Sequence, residues 1–370
     1  IITSSISIEN FRCFNDSKFK KFSKINLIGG LNNSGKSALL EAILLLLSPQ
    51  PKTIDLLNKY RNENVTSKNP LNKTWDYLFF NCNKSQSIKF TTCNSSLNKT
   101  YSLTIKKSEN KNINKVTFYE RLKNSDIKNL EKALKDFELF TQKENMIHSL
   151  DFYLDDDENK ADFLGSFSFN DSGKLTLLEF PRYVLNEVAY RPAKQLLTNT
   201  QISKLLDIAI DRGYFNEIMH TIQIIDNTIE DIRVIDGRVQ LSRDKVEYLP
   251  ISLFGDAITS TLYIILTLFG LDEGGYLLID EVENGIHHSK HLNFIEHISN
   301  LALKRKIQIF MTTHSAEFIN SFNKHSLNTN DKNHSYLELV RTRNNQIVSN
   351  IIEPEVLEYK INHSKSFRGE

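Results

Sequence analysis

Gly30, Gly35, Lys36 and Ser37 stand at the spacing Gly-x-x-x-x-Gly-Lys-Ser, with Leu31, Asn32, Asn33 and Ser34 between them. That set suits a polyphosphate. Small residues let successive backbone N–H groups converge on phosphate oxygens, a lysine supplies a point charge, and a serine hydroxyl can ligate Mg²⁺. The flanks agree: residues 25–28 are apolar like a buried strand, and Ala38 opens a run of strong helix formers reaching about Leu47. A bound anion would then sit at a helix N-terminus, where unpaired N–H groups and the helix dipole favour negative charge.

A second set lies far downstream. Tyr276-Leu277-Leu278-Ile279 is an apolar strand pattern that ends in Asp280 and Glu281. In open parallel sheets ligands bind off the carboxyl ends of strands, which would put both carboxylates beside the glycine loop. Asp280 can hold Mg²⁺ through water, while Glu281 can orient an attacking water and take its proton. Lys36 and the metal would stabilise charge on the β- and γ-phosphates. Residues 307–311 form another apolar strand pattern, followed by Thr312-Thr313-His314-Ser315. A histidine there can contact the γ-phosphate or the water.

These residues need elements to hold them. Residues 6–11 alternate and lead through Arg12-Cys13-Phe14 into an opening β-hairpin, and Ser48-Pro49-Gln50-Pro51 ends the loop's helix. A polar stretch runs to about Lys73, then an aromatic cluster at 75–80. Alternation at 87–92, 100–105 and 115–119 predicts an antiparallel meander, and apolar residues at helical spacing predict an amphipathic helix over 125–145. A hairpin is predicted over 163–180, helices over 201–211 and 214–226, and a tight hairpin around Asp236-Gly237. After Pro250 the pattern becomes helix 254–271, strand 276–279, helix 288–303, strand 306–311 and helix 316–322, which implies a parallel sheet with crossovers. A terminal hairpin is predicted over 336–352.

Composition excludes several classes. The 370 residues are 25% charged and 40% apolar, as in ordinary globular proteins, and the apolar runs fall short of a membrane span. With 46 Lys plus Arg against 45 Asp plus Glu, the net charge of +1 gives no general support to nucleic-acid binding. Lys304-Arg305-Lys306 and the pair Arg341, Arg343 are the local basic clusters. Three cysteines without metal-ligand spacing read as free thiols in a reducing cytoplasm. His287, His288 and His291 bunch together but read as loop and helix-start residues rather than a metal site.

The order of the motifs carries a family resemblance. The phosphate loop, a long intervening segment, Ser252-Leu253-Phe254-Gly255-Asp256, then Asp280-Glu281-Val282-Glu283-Asn284-Gly285-Ile286-His287, then Thr313-His314-Ser315, resembles the ABC-type ATPase heads of the SMC and Rad50 class. Within that class it is most similar to the bacterial AAA15/AAA21 and OLD-type ATPases found in anti-phage defence. The resemblance implies an α/β P-loop NTPase head: a mixed and antiparallel β lobe, a parallel-sheet core and a helical insertion. The corresponding segments are residues 1–122, 123–228 and 229–370. It implies ATP and Mg²⁺ as ligands, with Glu281, His314 and Lys36 catalytic and Ser37 and Asp280 on the metal. Arg12, Gly30, Asn32, Asn33, Ser34, Gly35, Lys36, Ser37 and Ala38 would bind nucleotide in cis, and Ser252 and Gly255 in trans from a second head.

Further expectations follow from the same resemblance. Two heads would sandwich ATP as a homodimer, with 284–287 as the loop crossing the interface. The 56 residues after His314 are too few for the Toprim nuclease of OLD enzymes, so a nuclease or Toprim-type effector is expected as a separate chain. The signature 252–257 is a loose version of its pattern, and the metal-binding Gln of the class has no clear counterpart, Gln86 being the candidate. The expected role is an ATP-driven switch in anti-phage defence or DNA maintenance. A non-hydrolysing ATP sensor or scaffold, and a repair ATPase that binds DNA directly, are the alternatives.

Overall fold

The computed structural model describes residues 3–61, 75–94, 99–108, 146–156, 162–170, 175–179, 187–193, 198–330 and 332–368. The loop's helix, α1 (Lys36–Leu47), organises it. Leucine, isoleucine and alanine cover every side of α1, and every residue in it except Ser37 is buried. A helix that is apolar all round needs partners all round. It lies between two sheets, and its side chains join one apolar cluster with both.

On one side is an antiparallel sheet of seven strands, ordered β2-β1-β4-β5-β6-β7-β8. Its members are β1 (Thr3–Phe11), β2 (Phe14–Lys20), β4 (Ile88–Asn94), β5 (Lys99–Ser108), β6 (Met146–Asp156), β7 (Asp162–Asn170) and β8 (Leu175–Glu179). On the other is a six-stranded sheet, ordered β16-β15-β3-β14-β13-β9. It consists of β3 (Ile25–Gly30), β9 (Val188–Arg191), β13 (Tyr276–Ile279), β14 (Gln308–Thr312), β15 (His334–Arg341) and β16 (Ile347–Ile351), with only β16 running antiparallel. Arg191, Ile279, Met311, Leu27 and Tyr336 stand in one row across it. The loop after β3 and the carboxylates after β13 therefore emerge at one level, separated by β14.

The far face of this sheet is covered by α5 (Asp256–Gly270), α6 (His291–Lys304) and α7 (Ala316–Thr329). Against α5 pack α3 (Asn199–Asp211) and α4 (Phe215–Ile225), and a small sheet of β10 (Asp231–Ile235), β11 (Arg238–Ser242) and β12 (Leu249–Pro250) adjoins them. No helix among the described residues is long and apolar enough to cross a membrane.

Several elements differ from the expectation. The polar stretch after α1 holds a helix, α2 (Pro51–Tyr60), with Thr53, Ile54 and Leu57 buried. Pro49 follows the end of α1 directly, and Pro51 starts α2, because the first turn of a helix needs no N–H from it. Strands β6 and β9 and the last helix, α8 (Pro354–Asn362), were not anticipated. Residues 288–290 form a single 3-10 turn, so α6 starts at His291. The strand expected at 115–119 and the helix expected at 125–145 lie outside the described residues.

Candidate functional site

Gly35 precedes α1 with φ +94°, and a Cβ there would come within 2.9 Å of Ile347 Cδ1 and 3.0 Å of Cys13 Sγ. Backbone conformation and crowding both demand glycine. The loop curls around Lys36, whose Nζ donates to the carbonyls of Gly30 (2.8 Å) and Leu31 (2.9 Å). Burial pulls the Lys36 ammonium down to about 8, with Asp280, Glu281 and Glu283 opposing that shift.

The third Lys36 contact is His314 Nδ1, at 3.2 Å. An ammonium only donates, so Nδ1 accepts, and this assigns the imidazole proton to Nε2. Nε2 faces Glu281 Oε1 at 3.8 Å. Burial lowers the His314 pKa, as does Lys36, while Glu281, Glu283 and Asp280 oppose them. The imidazole is thus neutral near pH 7 and stands between the loop lysine, which hydrogen-bonds it, and Glu281.

The two carboxylates occupy different environments. Asp280 is 7% exposed and accepts a hydrogen bond from Thr312 Oγ1 (2.5 Å). Burial pushes its pKa up, against hydrogen bonds from the Thr312 and Ser37 hydroxyls. This is a fit for a hard divalent cation: a buried carboxylate, hydrogen-bonded by the loop serine, that forms no ion pair among the described residues. Glu281 is half-buried and sits at φ +51°, a left-handed conformation unfavourable for a residue with a Cβ. Its N–H donates to Thr312 Oγ1 (2.9 Å) and its Oε2 accepts from Asn284 Nδ2 (2.9 Å).

A cleft of about 530 Å³ opens over the loop, lined by Asn32 through Ala38, Glu281 and His314 together with Arg12, Cys13, Arg61 and Arg341. Lys36 and three arginines against one carboxylate suit a polyanion. Arg12 comes from the β1–β2 turn at φ +52°, and its Nε pairs with Glu41 Oε2 at 2.7 Å. The other Glu41 oxygen accepts from Arg61 Nε at 2.7 Å. Arg341 donates to the Asn33 carbonyl (2.9 Å).

Ser252 and Gly255 do not line this cleft. They lie in the turn before α5, where Leu253 is 69% exposed and a Cβ on Gly255 would meet nothing within 4 Å. Gly255 has φ +87° and ψ 169°, a conformation open essentially to glycine alone. Gln86 is exposed and away from the cleft, its carbonyl taken by Asn10 Nδ2 (2.9 Å). His291 is buried rather than exposed and binds the Ile286 carbonyl (3.0 Å), and no metal-holding cluster of three ligands occurs among the described residues. Within the basic cluster at 304–306, Arg305 caps α5 through the carbonyls of Leu268 and Leu271, and Lys306 forms an exposed pair with Glu273 at 2.6 Å.

Sequence reasoning missed Arg61, Arg341, Cys13 and Arg191 as neighbours of the site. Arg61 arrives only because α2 folds back, which no local pattern announces. Arg191 ends the edge strand β9, its carbonyl accepting from Asp280 N (2.9 Å) and its guanidinium reaching Ser260 Oγ on α5. The short run Val188-Ala189-Tyr190 before Pro192 was the available signal.

A glycine loop at a helix N-terminus, with an acidic pair at the end of a nearby parallel strand, defines a P-loop ATPase. The chain belongs to the family described as "AAA domain, putative AbiEii toxin, Type IV TA system", which matches residues 25–320. It is 29% identical over 337 residues to a Helicobacter pylori protein named "ATP/GTP phosphatase", covering 85% of this chain and 86% of that one. Among solved structures, an SMC head bound to the C-terminal winged-helix domain of ScpA aligns at TM-score 0.45 and 9% identity, over 95% of this chain and 98% of that one. The SMC head domain from Thermotoga maritima aligns at TM-score 0.39 and 10% identity, over 95% and 100%.

Proposed function

We propose that this ATPase binds ATP with Mg²⁺ in the cleft over Gly30 to Ser37, hydrolyses it between two copies of the chain, and thereby switches a separate effector. The observation that carries this reading is the chain of contacts from Lys36 through His314 to Glu281, laid across the floor of the cleft. Ser37 and Asp280 would hold Mg²⁺, which supplies charge neutralisation on the phosphates when bound. Backbone N–H groups of 33–38 cradle the phosphates, and Lys36, Arg12 and Arg61 meet their charge. Glu281 orients water and takes its proton as oxygen attacks the γ-phosphorus and the bond to the β-phosphate oxygen breaks. His314, neutral and hydrogen-bonded by Lys36, aims its Nε2–H at that same space.

Support for a second copy comes from the signature turn, where Ser252, the exposed Leu253 and Gly255 lie open and outside their own chain's cleft. The three segments 1–122, 123–228 and 229–370 would act as one head. The relative named as a phosphatase supports turnover, and the family description, which names a toxin, supports a setting in anti-phage defence or DNA maintenance. The test is phosphate release by purified wild type and Glu281→Gln, with mass by light scattering with and without ATP. Turnover unchanged in Glu281→Gln removes the role given to Glu281. A stable ATP-bound dimer without phosphate release makes the protein a sensor instead.

A further inference from the structure

We propose that Glu283 is the positioning residue for His314, tying the loop after β13 to the reach of the imidazole. The inference rests on the ATPase reading above and deepens it. Glu283 Oε1 accepts the backbone N–H of His314 (2.7 Å) and of Ser315 (3.2 Å). Those donors lie between β14 and α7, upstream of the helix proper. Helix α7 is already capped, because Ser315 Oγ accepts from Phe318 N (3.1 Å). The Glu283 bonds therefore serve the His314 segment and not the helix end.

Three consecutive residues grip that segment. Glu281 N donates to Thr312 Oγ1 (2.9 Å), Val282 N donates to the Thr312 carbonyl (3.0 Å), and Glu283 takes the two N–H groups beyond. This lacing ties Glu281 to the His314 segment, which is also held from the other side by Thr313 N on the Ile28 carbonyl (3.1 Å) and by Ser315 N on Thr313 Oγ1 (3.0 Å). Glu283 is the far end of the lacing, and its removal takes the acceptor from the His314 N–H, leaving the imidazole held by Lys36 alone among the described residues, while Glu281 stays bonded to Thr312 and Asn284. The other carboxylate oxygen of Glu283, Oε2, is buried and has no hydrogen-bond partner among the described residues.

The same loop also reaches the signature turn. Gly285 stands against the first turn of α5, where a Cβ would lie 3.0 Å from Ala257 N and 3.1 Å from the Asp256 carbonyl carbon. The loop that carries Glu283 thus touches the start of α5, which directly follows Gly255, and bonds the segment of the histidine that faces Glu281.

The test compares Glu283→Gln, which keeps an acceptor oxygen, with Glu283→Ala, which removes it. Two readouts are taken: hydrogen exchange of a peptide spanning 312–316, and steady-state ATP hydrolysis. The expected result for Glu283→Ala is faster exchange there and kcat lowered about 10- to 100-fold, with KM for ATP within about threefold of wild type. Glu283→Gln is expected to restore both. Wild-type exchange and kcat in Glu283→Ala, equal loss in both variants, or a raised KM at unchanged kcat would overturn the proposal. If Glu283→Ala does not fold, Glu283→Asp, which withdraws the carboxylate by one methylene, takes its place. A wild type that releases no phosphate would refute the ATPase reading, and the exchange readout alone would then decide the role of Glu283.

Discussion

Raising the pH from 7 to 9 should weaken nucleotide binding through Lys36. In the free protein burial brings this ammonium down to about 8. It is then about nine-tenths protonated at pH 7 and about one-tenth at pH 9. A phosphate contact needs the charged form, so apparent affinity should fall about tenfold over that range, which is ~1.4 kcal/mol. Other groups near the loop do not mimic the effect: His314 is pulled down and neutral throughout, and burial pushes the Cys13 thiol up. The assay is calorimetric titration with ATPγS at fixed Mg²⁺, in two buffers of different ionisation enthalpy. Binding at pH 9 should take up about 0.9 proton, and binding at pH 6 almost none. Lys36→Ala should bind more weakly and show no slope. An affinity constant within twofold from pH 7 to 9 would refute either the depressed lysine or its contact with phosphate.

Glu281→Gln should lower kcat by about 10² to 10⁴ with KM for ATP little changed, read by phosphate release, since proton acceptance is lost while the cleft keeps its cations. Copies carrying Lys36→Ala mixed with copies carrying Gly255→Asp should recover turnover that neither has alone, because one of the two composite sites in a mixed dimer then has an intact loop and an intact signature while the other carries both lesions. Failure to recover would place the signature in cis. Gly29→Ala should destabilise the fold by about 1–3 kcal/mol in urea unfolding. Its Cβ would lie 2.2 Å from Tyr336 Oη, a hydroxyl anchored to the Phe367 carbonyl at 2.6 Å.

Local patterns carried far in some places. The run 276–281 is apolar then acidic, so it reads as a buried strand with its carboxylates at the exit, and β13 ends there. The run 36–47 lacks a polar face, which forecasts burial on every side, as α1 has. Where the reading failed, the reason was distance or brevity. Four-residue β9 is a strand because β13 offers it a ladder, not because Val188 to Arg191 demand one. Helix α2 hides behind prolines that look like an ending, and its burial depends on the antiparallel sheet above it.

The sequence by itself determined the chemistry available and its order along the chain: a phosphate loop first, a signature-like turn and an acidic pair late, a histidine after them. Those follow from residue type and from the short-range geometry of strands, glycines and helix starts. Only the tertiary structure decided which groups meet. Parallel pairing sets Asp280, Thr312 and the loop after β3 at one level, though they are far apart in sequence. The same packing brings Arg12 and Arg61 onto one Glu41 and stands His314 against Lys36. It also leaves the Gly30 to Ser37 loop facing a cleft that the chain's own Ser252 and Gly255 do not enter, because α5 projects them elsewhere.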